Sequence, residues 1–188
     1  MSSPTPDPTG TPGTGPQVHA VTVLGLDRPG IIAETTALLA GLGLNLEDSS
    51  MTLLRGHFAM TLVCAGPATG PDVEAALAPL AADGSLDVSV RPVPARAPAA
   101  YDGGSGWVLT VHGGDRPGIV SAVVGEVAAV GGSITDLTTR LAGDLYLLVA
   151  EIALPDGVDV TALDRAVGAA ATGLGVGATL RPAETDDL

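Results

Sequence analysis

The tetrapeptide Asp-Arg-Pro-Gly occurs twice in the chain, at residues 27–30 (the first turn) and at residues 115–118 (the second turn). Each copy follows an alternating apolar run that predicts a strand, and each precedes a segment with helical spacing. The first amides of a helix lack partners within the helix, and the helix dipole makes that end electropositive. Such a turn can bind a small carboxylate, while the adjacent aspartate can accept hydrogen bonds from an ammonium group.

Polar residues elsewhere in each half are further candidates for the same sites. Asn45 and Ser133 each begin the second predicted strand of their half, and Asp48 and Asp136 follow three positions later. These side chains would face the turn if the second strand lay beside the first. His112 ends the first strand of the second half and could line a pocket there. Carboxylate-binding amides combined with Asp, Asn or Ser suit a free amino acid.

Backbone geometry alone offers a second explanation of the two turns. Proline fits the first position of a helix, where its missing N–H costs nothing, and glycine permits a close backbone approach. Asp27 and Asp115 would then only cap local amides, and Arg28 and Arg116 would be solvated or paired with nearby acids. Spacing therefore leaves a structural and a ligand-binding interpretation open.

An internal repeat with an offset of 88 residues contains both turns. Residues 21–48 and 109–136 align without a gap and are identical at 11 of 28 positions. A repeat of that length is too long for a solenoid unit, so it indicates one duplicated small domain. Each half reads strand, helix, strand, strand, helix, strand, with a one-residue shift at the hairpin where Gly56 meets Gly143. The predicted class is α+β, with two ferredoxin-like βαββαβ domains, each an antiparallel sheet with both helices on one face.

Breaks in composition predict the boundaries of these parts. The chain is expected to comprise a disordered tail over 1–17, a first domain over 18–93, a linker over 94–106, a second domain over 107–183 and an acidic tail over 184–188. Within the first domain, Gly66-Pro67 is expected to end a strand that begins at His57, and Asp72 is expected to cap a helix over 73–82.

Composition also excludes several classes of function. The net charge of −13 argues against binding the phosphate backbone of nucleic acid and against adsorption to anionic membranes. Cys64 is the single cysteine and is expected to be a buried structural thiol. No nucleophile–base pair, metal cluster or phosphate loop is visible, so we expect no enzyme, cofactor or metal site. Without a signal peptide or a spanning segment, the protein is expected to be cytoplasmic.

The repeated pattern resembles the ACT domain, through Asp-Arg-Pro-Gly-Ile in both halves, Asn45–Ser49 in the first and Gly132–Leu137 in the second. It is most similar to the tandem-ACT proteins of the glycine cleavage system transcriptional repressor family. The resemblance implies regulation by a small molecule held between the turn of one ACT domain and the second strand of another. Carried onto this chain, the implied ligand-binding residues are Asp27, Arg28, Pro29, Gly30, Ile31, Asn45 and Asp48, with Asp115, Arg116, Pro117, Gly118, Ile119, Ser133 and Asp136.

The function expected from these features is a non-catalytic regulatory protein. Its ligand would be an amino acid, its partners a regulated protein and further copies of itself, and its effect on gene expression indirect. The alternative is a ligand-independent interaction module in which both turns are purely structural. Ser133 stands where the first half has Asn45, so the two sites are not expected to be equivalent.

Overall fold

The computed structural model describes residues 15–95 and 104–183. They fall into two compact units, one within residues 1–98 and the other within residues 99–188. The tail predicted over 1–17 and the linker predicted over 94–106 lie mostly outside the described residues, and the acidic tail lies wholly outside them. These domain boundaries therefore stay predictions.

The first domain contains four strands and two helices in the order βαββαβ. Its elements are β1 (Gln17–Leu26), α1 (Ile31–Gly41), β2 (Asn45–Leu54), β3 (His57–Gly66), α2 (Gly70–Leu77) with a following 3₁₀ turn (Ala78–Ala81), and β4 (Leu86–Val93).

The second domain repeats that order. Its elements are β5 (Ser105–Gly114), α3 (Ile119–Ala129), β6 (Ser133–Ala142), β7 (Leu145–Leu154), α4 (Val160–Gly173) and β8 (Val176–Pro182). Every predicted strand and helix is present, with ends that differ by a few residues.

Each domain forms one four-stranded antiparallel sheet. The strand order is β2-β3-β1-β4 in the first domain and β6-β7-β5-β8 in the second. In both sheets the first and third strands of the domain occupy the centre, and the second strand lies at an edge. The predicted fold class, two ferredoxin-like domains, is confirmed.

An aliphatic core lies between each sheet and its two helices. In the first domain Val21, Val23 and Leu62 are buried on one face of the sheet, together with Leu39 of α1 and Leu77 of α2. The alternation follows from the two-residue period of a strand, which places every second side chain on the same face. The helices therefore cover one face of the sheet.

Cys64 lies in this core with no exposed surface. Its thiol is directed at the backbone carbonyl of His19, with the sulfur 3.7 Å from the oxygen. Burial raises the pKa of the Cys64 thiol, which disfavours the reactive thiolate. The expectation of a buried structural thiol is confirmed.

The hairpins keep the two halves in the same register. Leu54 pairs with His57 across the first hairpin, and Ala142 pairs with Leu145 across the second. Both loops therefore contain two residues, and Arg55 corresponds to Gly143. The predicted one-residue shift is wrong, because the two loops have equal length and Arg55, at a positive φ of 53°, takes the place of Gly143.

The start of α2 also differs from the prediction. Thr69, not Asp72, caps the helix: its side chain accepts a hydrogen bond from the Asp72 amide, and the Asp72 carboxylate accepts one from the Thr69 amide. This reciprocal pair is a capping box. The hydrogen bonds from Thr69 hold the pKa of Asp72 below its ordinary value. The preceding strand ends at Gly66, within the Gly66-Pro67 break that the sequence predicts.

Candidate functional site

Each turn joins the end of a central strand to the start of a helix. Gly30 is the N-cap of α1 with φ 94°, and Gly118 is the N-cap of α3 with φ 93°. This left-handed conformation strains any residue with a side chain, which explains the glycine at both positions. Pro29 and Pro117 precede the caps, so the prediction that proline occupies the first helical position is wrong.

The amides that begin α1 and α3 have no partner in the described part of the chain. The first helical hydrogen bonds run from Glu34 N–H to Gly30 O and from Ala122 N–H to Gly118 O, at 2.9 and 3.0 Å. No side chain caps either helix. By contrast, Thr69 caps α2 and Asp159 caps α4. Among the α-helices that the structure describes, α1 and α3 are therefore the two whose N-terminal amides no side chain caps.

The side chains of the turn aspartates form no hydrogen bond with their own turns. Among the described residues, the side chains of Asp27 and Asp115 form no hydrogen bond, and both residues are exposed. Their backbone amides instead donate hydrogen bonds to the hairpin of the same domain, from Asp27 N–H to Gly56 O and from Asp115 N–H to Asp144 O, each at 3.4 Å. The geometry therefore does not support the structural interpretation, in which the aspartates cap local amides.

An open pocket lies beside each turn. The first has a volume of about 380 Å³ and is lined by four of the predicted turn residues, together with Met51 and Phe58. The second has a volume of about 280 Å³ and is lined by the four equivalent residues, together with Ser121 and Tyr146. The lining turn residues are Asp27, Arg28, Gly30 and Ile31 in the first pocket and Asp115, Arg116, Gly118 and Ile119 in the second.

The predicted strand residues do not reach the turn of their own domain. Asn45 pairs through Ala65 with Val18, eight positions before the end of β1 at Leu26. At about 3.3 Å per residue that separation is about 26 Å. Ser133 occupies the equivalent place in the second domain, pairing with Ala153.

Strand order and strand face explain why those residues lie away from the turns. The condition for convergence was that the second strand lie beside the first, but β3 and β7 intervene. Asp48 and Asp136 also lie on the sheet face opposite the helices, since they pair with Val63 and Glu151. Their implied role toward the turn of another ACT domain stays a prediction.

His112 is not part of the second pocket. It is exposed and lies on the sheet face away from the helices, because its neighbour Val111 is buried on the helix face. Its ring lies against Gly177 of β8, about 3 Å from where a side chain at that position would begin. His112 therefore does not line the pocket beside the second turn, and its expected role in ligand binding stays a prediction.

Several other residues at the turns were not foreseen. Glu34 binds Arg28 with two hydrogen bonds of 2.9 and 2.7 Å, and these bonds hold the pKa of Glu34 below its ordinary value. Asp83 contributes to the field around Arg28. Ser121 and Tyr146 line the second pocket. Glu34 and Ser121 lie within the aligned repeat, so comparison of the two halves could have found them.

Two absences among the described residues bear on function. Within residues 15–95 and 104–183, no group of three or more His, Cys, Asp or Glu side chains is arranged to hold a metal ion. None of the helices in the part of the chain that the structure describes is long and apolar enough to cross a membrane.

The fold and the turns define a class of protein: two ferredoxin-like domains in tandem, each with an open helix N-terminus after its first strand. Residues 19–91 match the family model of the ACT domain. The chain belongs to the ACT-domain family, with two such domains in tandem. Family membership places it, in general terms, among regulatory ligand-binding proteins.

Relatives and solved structures of similar fold agree with this assignment. A UPF0237 protein of Methanosarcina mazei is 36% identical over 72 residues, which cover 38% of this chain and 78% of that protein. A UPF0237 protein of Methanopyrus kandleri is 51% identical over 43 residues, covering 23% of this chain and 48% of that protein. A crystal structure of an unknown protein from Galdieria sulphuraria is similar, with a TM-score of 0.73 and 28% identity, over 90% of this chain and 99% of that one. A candidate glycine cleavage system transcriptional repressor shares the fold, with a TM-score of 0.63 and 19% identity over the same shares.

Proposed function

We propose that the protein is a non-catalytic regulator that binds a free amino acid at its Asp-Arg-Pro-Gly turns and controls a partner protein, and through it gene expression. The observation that carries the proposal is the contrast between helix starts. The second helix of each domain is capped by its own side chains, whereas α1 and α3 leave their first amides open beside a pocket.

The chemistry of these pockets is suited to both charged ends of an amino acid. Open N-terminal amides with the helix dipole behind them favour a carboxylate. The free carboxylates of Asp27 and Asp115 line the same pockets and can accept hydrogen bonds from an ammonium group. The apolar walls from Ile31 and Ile119 leave room for an aliphatic portion of the ligand.

A ligand at these positions could regulate through differential binding. A ligand shifts an equilibrium between two arrangements of a protein only as far as it binds one of them more tightly. A ligand bound to the amides changes the charge and hydration of the turn surface. A partner protein would therefore bind the occupied and the empty surface with different affinities. The net charge of −13 supports a protein partner over direct contact with nucleic acid.

Self-association is part of the proposal. Within its own sheet, each of the ten-residue strands β2 and β6 has one unpaired edge, and such edges pair readily with other strands. Leu53 and Leu54 of β2 are about half exposed. We expect more than one chain per particle, measurable by light scattering coupled to gel filtration.

The test is a calorimetric and thermal-shift screen of the full chain against the twenty amino acids at millimolar concentration. At least one should bind and raise the melting temperature, as any ligand of the folded state does. Replacing both turn aspartates, D27N with D115N, should weaken that binding about tenfold and leave the melting temperature of the free protein unchanged. If none of the twenty binds, the proposal is wrong.

A further inference from the structure

The arginines of the two turns differ in whether they already hold a carboxylate. Arg28 donates from Nη1 to Glu34 Oε1 at 2.9 Å and from Nη2 to Glu34 Oε2 at 2.7 Å. This two-pronged geometry is the one in which arginine binds carboxylates most strongly. At the 88-residue offset, Ala122 stands in place of Glu34. Among the described residues, no carboxylate lies within 4.0 Å of the Arg116 guanidinium.

Asp83 is a second acid near Arg28, and the second domain has no counterpart of it. Gly25 pairs with Leu86, and Gly113 pairs with Val176, so Asp83 and Gly173 each lie three residues before equivalent strand positions. The hydrogen bonds to Glu34 are the main cause that raises the pKa of Arg28, and the charge of Asp83 adds to their effect, whereas Gly173 carries no such charge. Asp144 lines a neighbouring depression with Arg116, but it forms no ion pair with it.

Backbone packing sets where the free guanidinium lies. The Arg116 guanidinium atoms lie 3.5 to 3.7 Å from the point where a side chain at Gly175 would begin. Gly175 has φ +71° and no side chain, so the loop before β8 leaves that space to Arg116. The same arginine lines the pocket of the second turn. Arg116 is exposed, so its long side chain can move its charge from the Gly175 loop to that pocket.

Two side chains add hydroxyl groups to the second pocket alone. Ser121 takes the place of Ala33, and Tyr146 takes the place of Phe58, since Gly113 pairs with Tyr146 as Gly25 pairs with Phe58. The Ser121 hydroxyl donates to Gly118 O at 3.0 Å and keeps its oxygen as an acceptor. The Tyr146 hydroxyl has no hydrogen-bond partner among the described residues, so it can donate to a ligand.

From these differences we infer that the second turn is the carboxylate-binding site of the chain, with Arg116 as the residue that binds the carboxylate. The first turn binds carboxylates more weakly, because Glu34 already occupies Arg28 from within the same domain. The ligand class is a small carboxylate with an adjacent ammonium group, held by Arg116 and Tyr146 at one end and by Asp115 at the other. The inference rests on the proposed function for the ammonium end only.

Amino-acid titrations of four full-length variants test which turn binds. With the amino acid selected by the screen, the wild-type chain should bind one equivalent per chain. R116Q should weaken binding about tenfold or more, the equivalent of one charged hydrogen bond. A122E supplies the second domain with its own carboxylate, so it should also weaken binding about tenfold or more. R28Q should affect only the weaker binding at the first turn, and E34A should strengthen that binding into a second measurable equivalent.

Acetate provides a test that does not depend on amino-acid binding. In the wild-type chain, acetate titrated up to about 100 mM should shift the Nε–Hε resonance of Arg116 in a saturable way before that of Arg28 begins to shift. In E34A both resonances should shift. Normal melting temperatures of R116Q and A122E would show that these variants fold.

The outcomes separate this inference from the proposed function. An acetate-dependent shift at Arg116, together with failure of every amino acid to bind, would retain the carboxylate site and overturn the amino-acid sensor. Amino-acid binding that persists in R116Q and is lost in R28Q would retain the sensor and overturn the assignment to the second turn. An acetate response at Arg28 alone, or at neither arginine, also overturns the assignment.

Discussion

The two domains build the same turn on the same backbone and surround it with different side chains. Gly30 and Gly118 agree in φ to within a degree, and both helices start without a side-chain cap. Around that shared frame, the first domain has Glu34 and Phe58 where the second has Ala122 and Tyr146. The comparison teaches that backbone geometry fixes where a ligand could bind, whereas a few side chains decide which turn remains available.

The largest expected effect on stability concerns two equivalent positions, Phe58 in the core of the first domain and Tyr146 in the wall of the second pocket. Phe58 is 1% exposed, and Tyr146 is half-buried. F58A should destabilise the protein by about 3–5 kcal/mol because it leaves a cavity in the core, measured by urea denaturation followed by circular dichroism. Y146F is the matched control and should change stability by less than about 0.5 kcal/mol while weakening ligand binding. Equal losses for F58A and Y146F would show that the two positions have the same role.

The next effect tests whether the shared backbone is equally strained in both domains. G30A and G118A should each cost about 1–2 kcal/mol, the penalty for a side chain in the left-handed conformation. Space is not the constraint, since the nearest atoms would lie 3.5 Å away at Gly30 and 3.9 Å away at Gly118. Thermal or urea unfolding of the two variants should give similar losses. A cost at one glycine only would break the equivalence of the turns.

A smaller effect distinguishes capped from uncapped helices. T69A removes the cap of α2 and should cost about 1 kcal/mol. D27A and D115A, at the starts of α1 and α3, should not lower stability measurably, because neither aspartate bonds to its helix. A loss in D27A or D115A comparable with that in T69A would mean that the aspartates are caps and that the turns are structural.

The smallest effect concerns pH and the first turn alone. The Arg28 hydrogen bonds lower the pKa of Glu34 from its ordinary 4.5, so the pair contributes stability that is complete above pH 4.5 and is lost as pH falls through the lowered pKa. E34Q should therefore match the wild type at low pH and be slightly less stable at neutral pH. A122Q, with no ion pair to lose, should show no such pH-dependent difference. The measurement is the melting temperature of each variant between pH 3 and pH 7.

Periodicity and turn chemistry were enough to predict the elements and their order. Alternating apolar residues identified the strands, and the repeat identified two copies of one domain, because those patterns are local. The cap of α2 was misassigned because Thr69 and Asp72 are both good caps, and the choice depends on where the chain leaves β3. Arg55 was missed at a positive φ because a two-residue hairpin can impose that conformation on a residue other than glycine.

The candidate site was only partly predictable. The turn residues could be read from the repeat, since a strand-to-helix junction places its amides at one point. The strand order could not be predicted, because nothing in the sequence around Asn45 or Asp48 reveals that β3 separates them from β1. The face of His112 and the pairing of Arg28 with Glu34 likewise depend on tertiary packing. Even so, Ala122 in place of Glu34 is visible in the aligned sequence and indicates unequal turns.

Glu34 also sets the concentration range over which the first turn can respond. It lies four residues after Gly30 on the same helix, so it competes with any external carboxylate as a tethered group whose effective concentration is on the order of millimolar. A metabolite must approach that level before it displaces Glu34, whereas Arg116 has no such competitor. One chain can therefore respond to scarcity through its second turn and to abundance through its first.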